Sequence, residues 1–183
     1  MDALDLVGIL PAMLPRLWAF SLRLTGDKHD AEDLVQLACV RGLERAYQLK
    51  QDTVPLSWMF SIVHSIWINE TRSRERRKRY CVYHDSSSLE NVTGPDDKNP
   101  ETSLMLRQIM GAVERLPEPQ RAVPLLVAVE GMSYQDTASI LSIPIGTVMS
   151  RLSRARQTLG RFFGGRKVAV GAHSSSGRYS CFT

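Results

Sequence analysis

The sequence predicts an all-α protein: two small helical domains joined by a flexible acidic linker. Three observations carry that expectation. Strand signals are nearly absent, while apolar residues recur at helical spacing along most of the chain. A stretch rich in helix breakers, about 81 to 102, divides the chain, with five acids against one lysine. Two basic blocks flank that stretch: residues 72–79 hold six basic residues against one acid, and residues 145–161 hold four arginines and no acid. The chain has 183 residues, 43% of them hydrophobic and 23% charged, which suits one ordinary domain or two small ones. Its net charge of +4 is modest, so the clustering of charge says more about a polyanionic partner than the total does.

The first module spans 4–80. Pro11 and Pro15 interrupt its apolar start, which opens on Asp2 and Asp5 and lacks the basic flank of a signal peptide. No stretch approaches the ~20 apolar residues of a membrane span, so no membrane insertion is expected. Gly26 and Asp27 form the first break. Asp30 then reads as an N-cap, with Asp33 three residues on. Ala31, Leu34, Val35, Ala38, Cys39, Gly42, Ala46 and Leu49 share one helical stripe, the expected core face. The opposite face carries Asp33, Gln36, Leu37, Val40 and Glu44. Its two apolar residues are either scattered surface residues or part of a partner-binding face. Asp52-Thr-Val-Pro55 is the second break, and Pro55 suits a first helical position. Trp58, Met59, Ile62, Val63 and Ile66 form the next core stripe. Phe60, His64, Trp67 and Ile68 lie toward another side and lead into the arginine block. Aromatics beside arginines suit melted nucleic acid, whose bases stack and whose phosphates need cations. For Phe60, burial against the N-terminal helix is the better reading.

The linker, 81–102, holds Ser86-Ser-Ser88, Gly94-Pro-Asp-Asp97 and Asn99-Pro100. The second module spans 103–163. Leu104, Leu106, Ile109, Met110, Val113 and Leu116 form its first stripe. Pro117-Glu-Pro119 opens a helix from Gln120 to Glu130, with Pro124 tolerated one turn in and Gly131 as the stop. Ser133 caps the next helix, with Asp136 three residues on. The Ser142-Ile-Pro144 turn leads to Gly146 and Thr147, which open a second helix. Val148, Leu152, Ala155 and Leu159 are its packed side, leaving Thr147, Ser150, Arg151 and Arg154 to point outward. Two short helices, a tight turn and an outer face of Thr, Ser and Arg form a helix-turn-helix able to reach base edges and phosphates. The tail, 164–183, is Gly/Ser-rich and expected to be disordered.

Little points to chemistry. Cys39, Cys81 and Cys181 are odd in number and far apart, which implies no disulfide framework and fits a reducing cytoplasm. Cys81 and His84 have metal-ligand spacing but no second pair, so no metal is expected. No P-loop or nucleophile–base pair is present, and no cofactor is expected. The pair Asp96-Asp97 reads as solvated rather than catalytic.

Asp30-Ala-Glu-Asp-Leu-Val-Gln36, Trp58-Met-Phe-Ser-Ile-Val-His64, Leu116-Pro-Glu-Pro-Gln-Arg121 and the run Met132 to Leu159 resemble the extracytoplasmic-function group of bacterial RNA polymerase sigma factors. The resemblance covers about Leu14 to Phe163. It implies a first domain that binds the polymerase clamp and melts the −10 promoter element, and a second that reads the −35 element. It implies no enzyme activity, and the partners it implies are core polymerase, promoter DNA and an anti-sigma factor. By resemblance, Asp33, Gln36, Leu37 and Val40 dock on polymerase. The loop from Lys50 to Val54, with Lys50 and Asp52, captures a flipped −10 base, and Ser65, Asn69, Arg72 and Arg76 line the same DNA. Pro144, Gly146, Thr147, Ser150, Arg151 and Arg154 fall at the −35 contact positions. Departures from the family pattern are Ser65 for a common Asn, His64 for a common Arg, Asn69 for a common Asp and Met149 for a common Lys or Arg. Two other readings remain: a sigma-like module that only titrates an anti-sigma protein, and a stand-alone helix-turn-helix repressor. The repressor reading leaves the face from Asp30 to Gln36 and the aromatic–arginine helix unexplained.

Overall fold

Helix α1, Ala3–Thr25, runs unbroken through Pro11 and Pro15 in a computed structural model that describes residues 3–49, 52–80, 111–113 and 116–162. The expectation that these prolines interrupt the segment is therefore corrected. One face of α1, formed by Leu6, Met13, Leu17, Phe20 and Leu24, is buried. That packing outweighs the hydrogen bonds a proline removes. By length and composition, Asp5–Thr25 could also cross a membrane, which corrects the expectation that no stretch could. Here its apolar stripe builds the core.

Gly26, at φ +73°, turns the chain in a region that favours glycine. Helix α2, Lys28–Glu44, is capped by Asp27 rather than Asp30: the Asp27 carboxylate accepts from the Asp30 backbone N–H at 2.9 Å. Asp30 instead receives two hydrogen bonds from Arg74, at 2.7 and 2.8 Å. The core stripe of α2 is buried as expected at Ala31, Leu34, Val35, Ala38 and Gly42, with Cys39 half-buried. A short 3₁₀ turn, Ala46–Gln48, follows, and Ala46 and Leu49 are buried.

Helix α3, Pro55–Tyr80, starts at its proline and runs 26 residues, through the arginine block. Met59, Phe60, Val63, Ile66 and Trp67 are buried, and Phe60 meets Phe20 edge-on at 4.9 Å between ring centroids. The burial of Trp67 overturns the expectation of a stacking platform there.

In the second module, Val113 and Leu116 are buried. Helix α4, Glu118–Pro124, passes into a wider π turn, Leu125–Val129. Proline at 124 has no N–H for the helical ladder, and the Glu130 N–H reaches the Leu125 carbonyl five residues back. Gly131, at φ +70°, ends the turn. Helix α5, Tyr134–Leu141, is capped by Ser133, whose Oγ accepts from the Asp136 N–H at 3.0 Å. The helix-turn-helix is completed by α6, Ile145–Phe162, with Val148, Leu152, Ala155 and Leu159 buried as expected.

The two modules pack together. Helix α3 lies against α5, α1 touches α4, and the buried residues form one cluster. At the seam, Arg16 donates to the Glu130 carboxylate at 2.9 Å and to its backbone carbonyl at 3.2 Å. Arg121 donates to the Leu24 carbonyl at 3.1 Å, and the Ser57 hydroxyl points at the Met132 sulfur at 3.8 Å. Expectations for Lys50, the linker 81–102 with Cys81 and His84, the stripe from Leu104 to Met110 and the tail 164–183 lie outside the described residues.

Ser142, between α5 and α6, adopts a left-handed conformation at φ 52° while its neighbour Ile143 donates back to the Ala138 carbonyl at 3.0 Å. The side chain pays the steric penalty that glycine avoids. Ser142→Gly is therefore expected to raise the unfolding free energy by about 1 kcal/mol, read from denaturant midpoints. A loss of stability would contradict the strain.

Candidate nucleic-acid interface

Ser65, Asn69, Arg72 and Arg76 recur at i, i+4, i+7 and i+11 on α3, and all four are exposed. The helix thus turns one polar, basic stripe outward while Met59, Val63 and Ile66 bury another. Ser65, Asn69 and Arg72 line an open cleft of about 710 Å³ between the modules. Arg76 folds back on the helix, donating to the Arg72 carbonyl at 3.2 Å. Arg74 is held instead by Asp30, and this contact keeps the Asp30 carboxyl below its usual range. Of the basic block, Arg72, Arg74, Arg76 and Arg77 are exposed with described side chains, and Arg74 is the one paired with Asp30.

The cleft also collects residues not assigned from the sequence. Arg41 reaches it from α2 and Arg45 from the residue that caps the end of α2, and Trp58, Ser61 and His64 line it from α3. The i, i+4 spacing of the two arginines was the signal available for them. Asp52 is exposed in the turn before α3, and Tyr47 and Val54 beside that turn are exposed apolar groups.

On α6, Gly146, Ser150 and Arg154 are exposed as expected, and Pro144 is exposed just before the helix. Thr147 and Arg151 are half-buried. Arg151 points into the cleft with Ser142 and Ile143, which corrects its expected outward position. The seam of α3 against α5 brings that flank of α6 over the polar stripe. On α2, Asp33, Gln36 and Val40 are exposed, whereas Leu37 is partly covered and packs against the core. Among the described residues no cluster of His, Cys, Asp and Glu could hold a metal ion.

These modules match two family models: Sigma-70 region 2 over residues 11–77 and Sigma-70 region 4 over residues 106–159. A curated relative, the ECF RNA polymerase sigma factor EcfG of Rhodopseudomonas palustris, is 30% identical over 148 residues, covering 81% of this chain and 79% of the relative. The chain belongs to the extracytoplasmic-function sigma factors of RNA polymerase. The sigma factor SigM of Mycobacterium tuberculosis is 34% identical over 143 residues, covering 78% of this chain and 69% of SigM. The solved structure of the sigma factor RpoE of Bartonella quintana, in complex with the anti-sigma factor NepR, matches with a TM-score of 0.72 and 27% identity. That match covers 87% of this chain and 96% of RpoE. As a sigma factor, the protein directs RNA polymerase to promoters for transcription initiation.

His64 carries the clearest electrostatic signature of the cleft. Burial, together with the positive charge of Arg151, lowers its pKa from 6.5 to about 4. The packed state disfavours the charged imidazole, so it loses stability relative to the unfolded chain as the pH falls from about 6.5 toward 4. Above that window His64 is neutral in both states and contributes no pH dependence. The expected result is a drop in the wild-type denaturant midpoint between pH 7 and pH 5 that His64→Gln makes shallower. Equal slopes for the two proteins would contradict the assignment.

Proposed function

We propose that this sigma factor grips promoters at two points and acts by binding alone, without catalytic chemistry. The α3 stripe of Ser65, Asn69, Arg72 and Arg76, with Lys50 and Asp52 in the preceding loop, engages melted −10 DNA. Pro144, Gly146, Thr147, Ser150, Arg151 and Arg154 engage the −35 duplex. Asp33, Gln36, Leu37 and Val40 dock on core polymerase. The domain boundaries proposed are 4–80 for the first module and 103–163 for the second, with 81–102 between them. The observation that carries this reading is the i, i+4, i+7, i+11 polar stripe on α3, extended by Arg41 and Arg45 into a cleft with four arginines and one glutamate, Glu75. Cations on one helical face suit the backbone of a nucleic acid strand. An anti-sigma partner is proposed from the Bartonella relative, whose structure holds one. A cytoplasmic location follows from the proposed work on polymerase and DNA.

The reading requires the modules to part. Arg151 and the α3 stripe share one cleft here, whereas −35 and −10 elements lie about 25 base pairs, or ~85 Å, apart on B-form DNA. The seam that must open is polar at its rim, where Arg16 is half exposed and its partner Glu130 nearly buried.

The test is open-complex formation on genomic fragments with reconstituted core polymerase. Promoter-specific melting that depends on core is expected; tight operator binding by the chain alone would favour a repressor. Leu37→Glu should weaken core binding while DNA binding by the isolated second module, 103–163, is retained, and unchanged core affinity would sink the docking face. Arg154→Ala should cost ~1–3 kcal/mol of −35 affinity at one base pair if it reads guanine. A uniform loss across sequences with a shallower salt slope would mark a phosphate contact instead.

A further inference from the structure

Helix α6 leaves two large apolar side chains in solvent, one helical turn apart: Ile145 at 40% exposure and Met149 at 50%. Gly146 lies between them, and a side chain built there would meet nothing within 4 Å. The pair sits at the start of a helix that has four arginines and no acid between 145 and 161. Single exposed apolar residues need no explanation. An apolar pair at the leading end of a cationic helix is different, because the arginines behind it select the surface it meets.

That surface is duplex DNA, on the reading of α6 given above, and the inference rests on that reading. In the major groove the apolar feature of a base edge is the thymine 5-methyl group. Arg154 and Arg156 are exposed on the same helix and can hold phosphates while its first turns enter the groove. On the helical wheel Met149 lies beside the outward Ser153 and Arg156, and Ile145 lies one turn before it. Methionine is unbranched and polarizable, so it can settle against a methyl group without a fixed rotamer. We propose that Met149, backed by Ile145, reads a thymine methyl in the −35 element and makes this sigma factor prefer thymine at that position.

The test uses holoenzyme reconstituted from the full chain and core polymerase, bound to a promoter recovered from genomic fragments. Each −35 thymine, on either strand, is replaced in turn by deoxyuridine, which removes the methyl and keeps the pairing. For the wild type, one position should weaken binding about fourfold, the effect of re-exposing one methyl-sized group. Met149→Ala should bind the thymine promoter about as weakly as the wild type binds the uracil promoter, and should lose its sensitivity to uracil at that position alone. Met149→Leu should retain it. The proposal is overturned if the wild type ignores uracil at every position, or if Met149→Ala remains equally sensitive. Replacing the whole −35 element separates the two layers. If that leaves wild-type affinity unchanged, the assignment of α6 to the −35 element fails and takes the methyl contact with it. If it lowers affinity while uracil has no effect, only the methyl contact fails.

Discussion

The burial of α3 on two sides is the constraint on which the rest of the structure depends. At 26 residues the helix is about 39 Å long. One side carries Met59, Phe60, Val63 and Ile66 into the core with α1 and α2, where Phe60 meets Phe20 of α1 edge-on. Another side packs against α5 of the second module. Between residues 59 and 69 only what remains can be polar, so Ser65 and Asn69 are confined to one narrow stripe, which Arg72 and Arg76 continue where residues 74–77 are exposed all round the helix. The functional face is the residue of two packing demands. This is why its residues follow helical spacing although they share no chemistry beyond polarity.

The same constraint explains what could be read from the sequence. Helix positions and core stripes were legible because each is a local pattern: the burial of Val148, Leu152, Ala155 and Leu159 needs only helical period and a solvent. The cap of the recognition pair was legible for the same reason, since Ser133 and Asp136 are three residues apart. The start of α2 was misread because Asp27 and Asp30 are both acceptable caps. What decides is Arg74, forty-four residues away, which takes Asp30 for an ion pair. Trp67 was misread as a stacking surface because a helix amphipathic to one neighbour cannot announce a second. The cleft was invisible for that reason too. Arg41, Arg45, His64 and Arg151 come from three helices, and only the docking of α5 on α3 brings Arg151 to the others.

That cleft sets two uses of one surface against each other. Arg41, Arg45, Arg72 and Arg151 face a common space with Glu75 as the acid among its lining residues. Like charges brought together repel, and the packed state holds them there through apolar contact and the Arg16–Glu130 pair. On the proposed reading, a nucleic acid strand supplies the anions that the cleft lacks, but only after the modules part. Promoter affinity is then reduced by the fraction of molecules that are open. His64 enters the same balance. Its neutral form is what the packed cleft tolerates, since a proton there would sit in a poorly solvated site beside Arg151. Protonation of His64 therefore opposes the packed cleft in the same sense as the four arginines that line it.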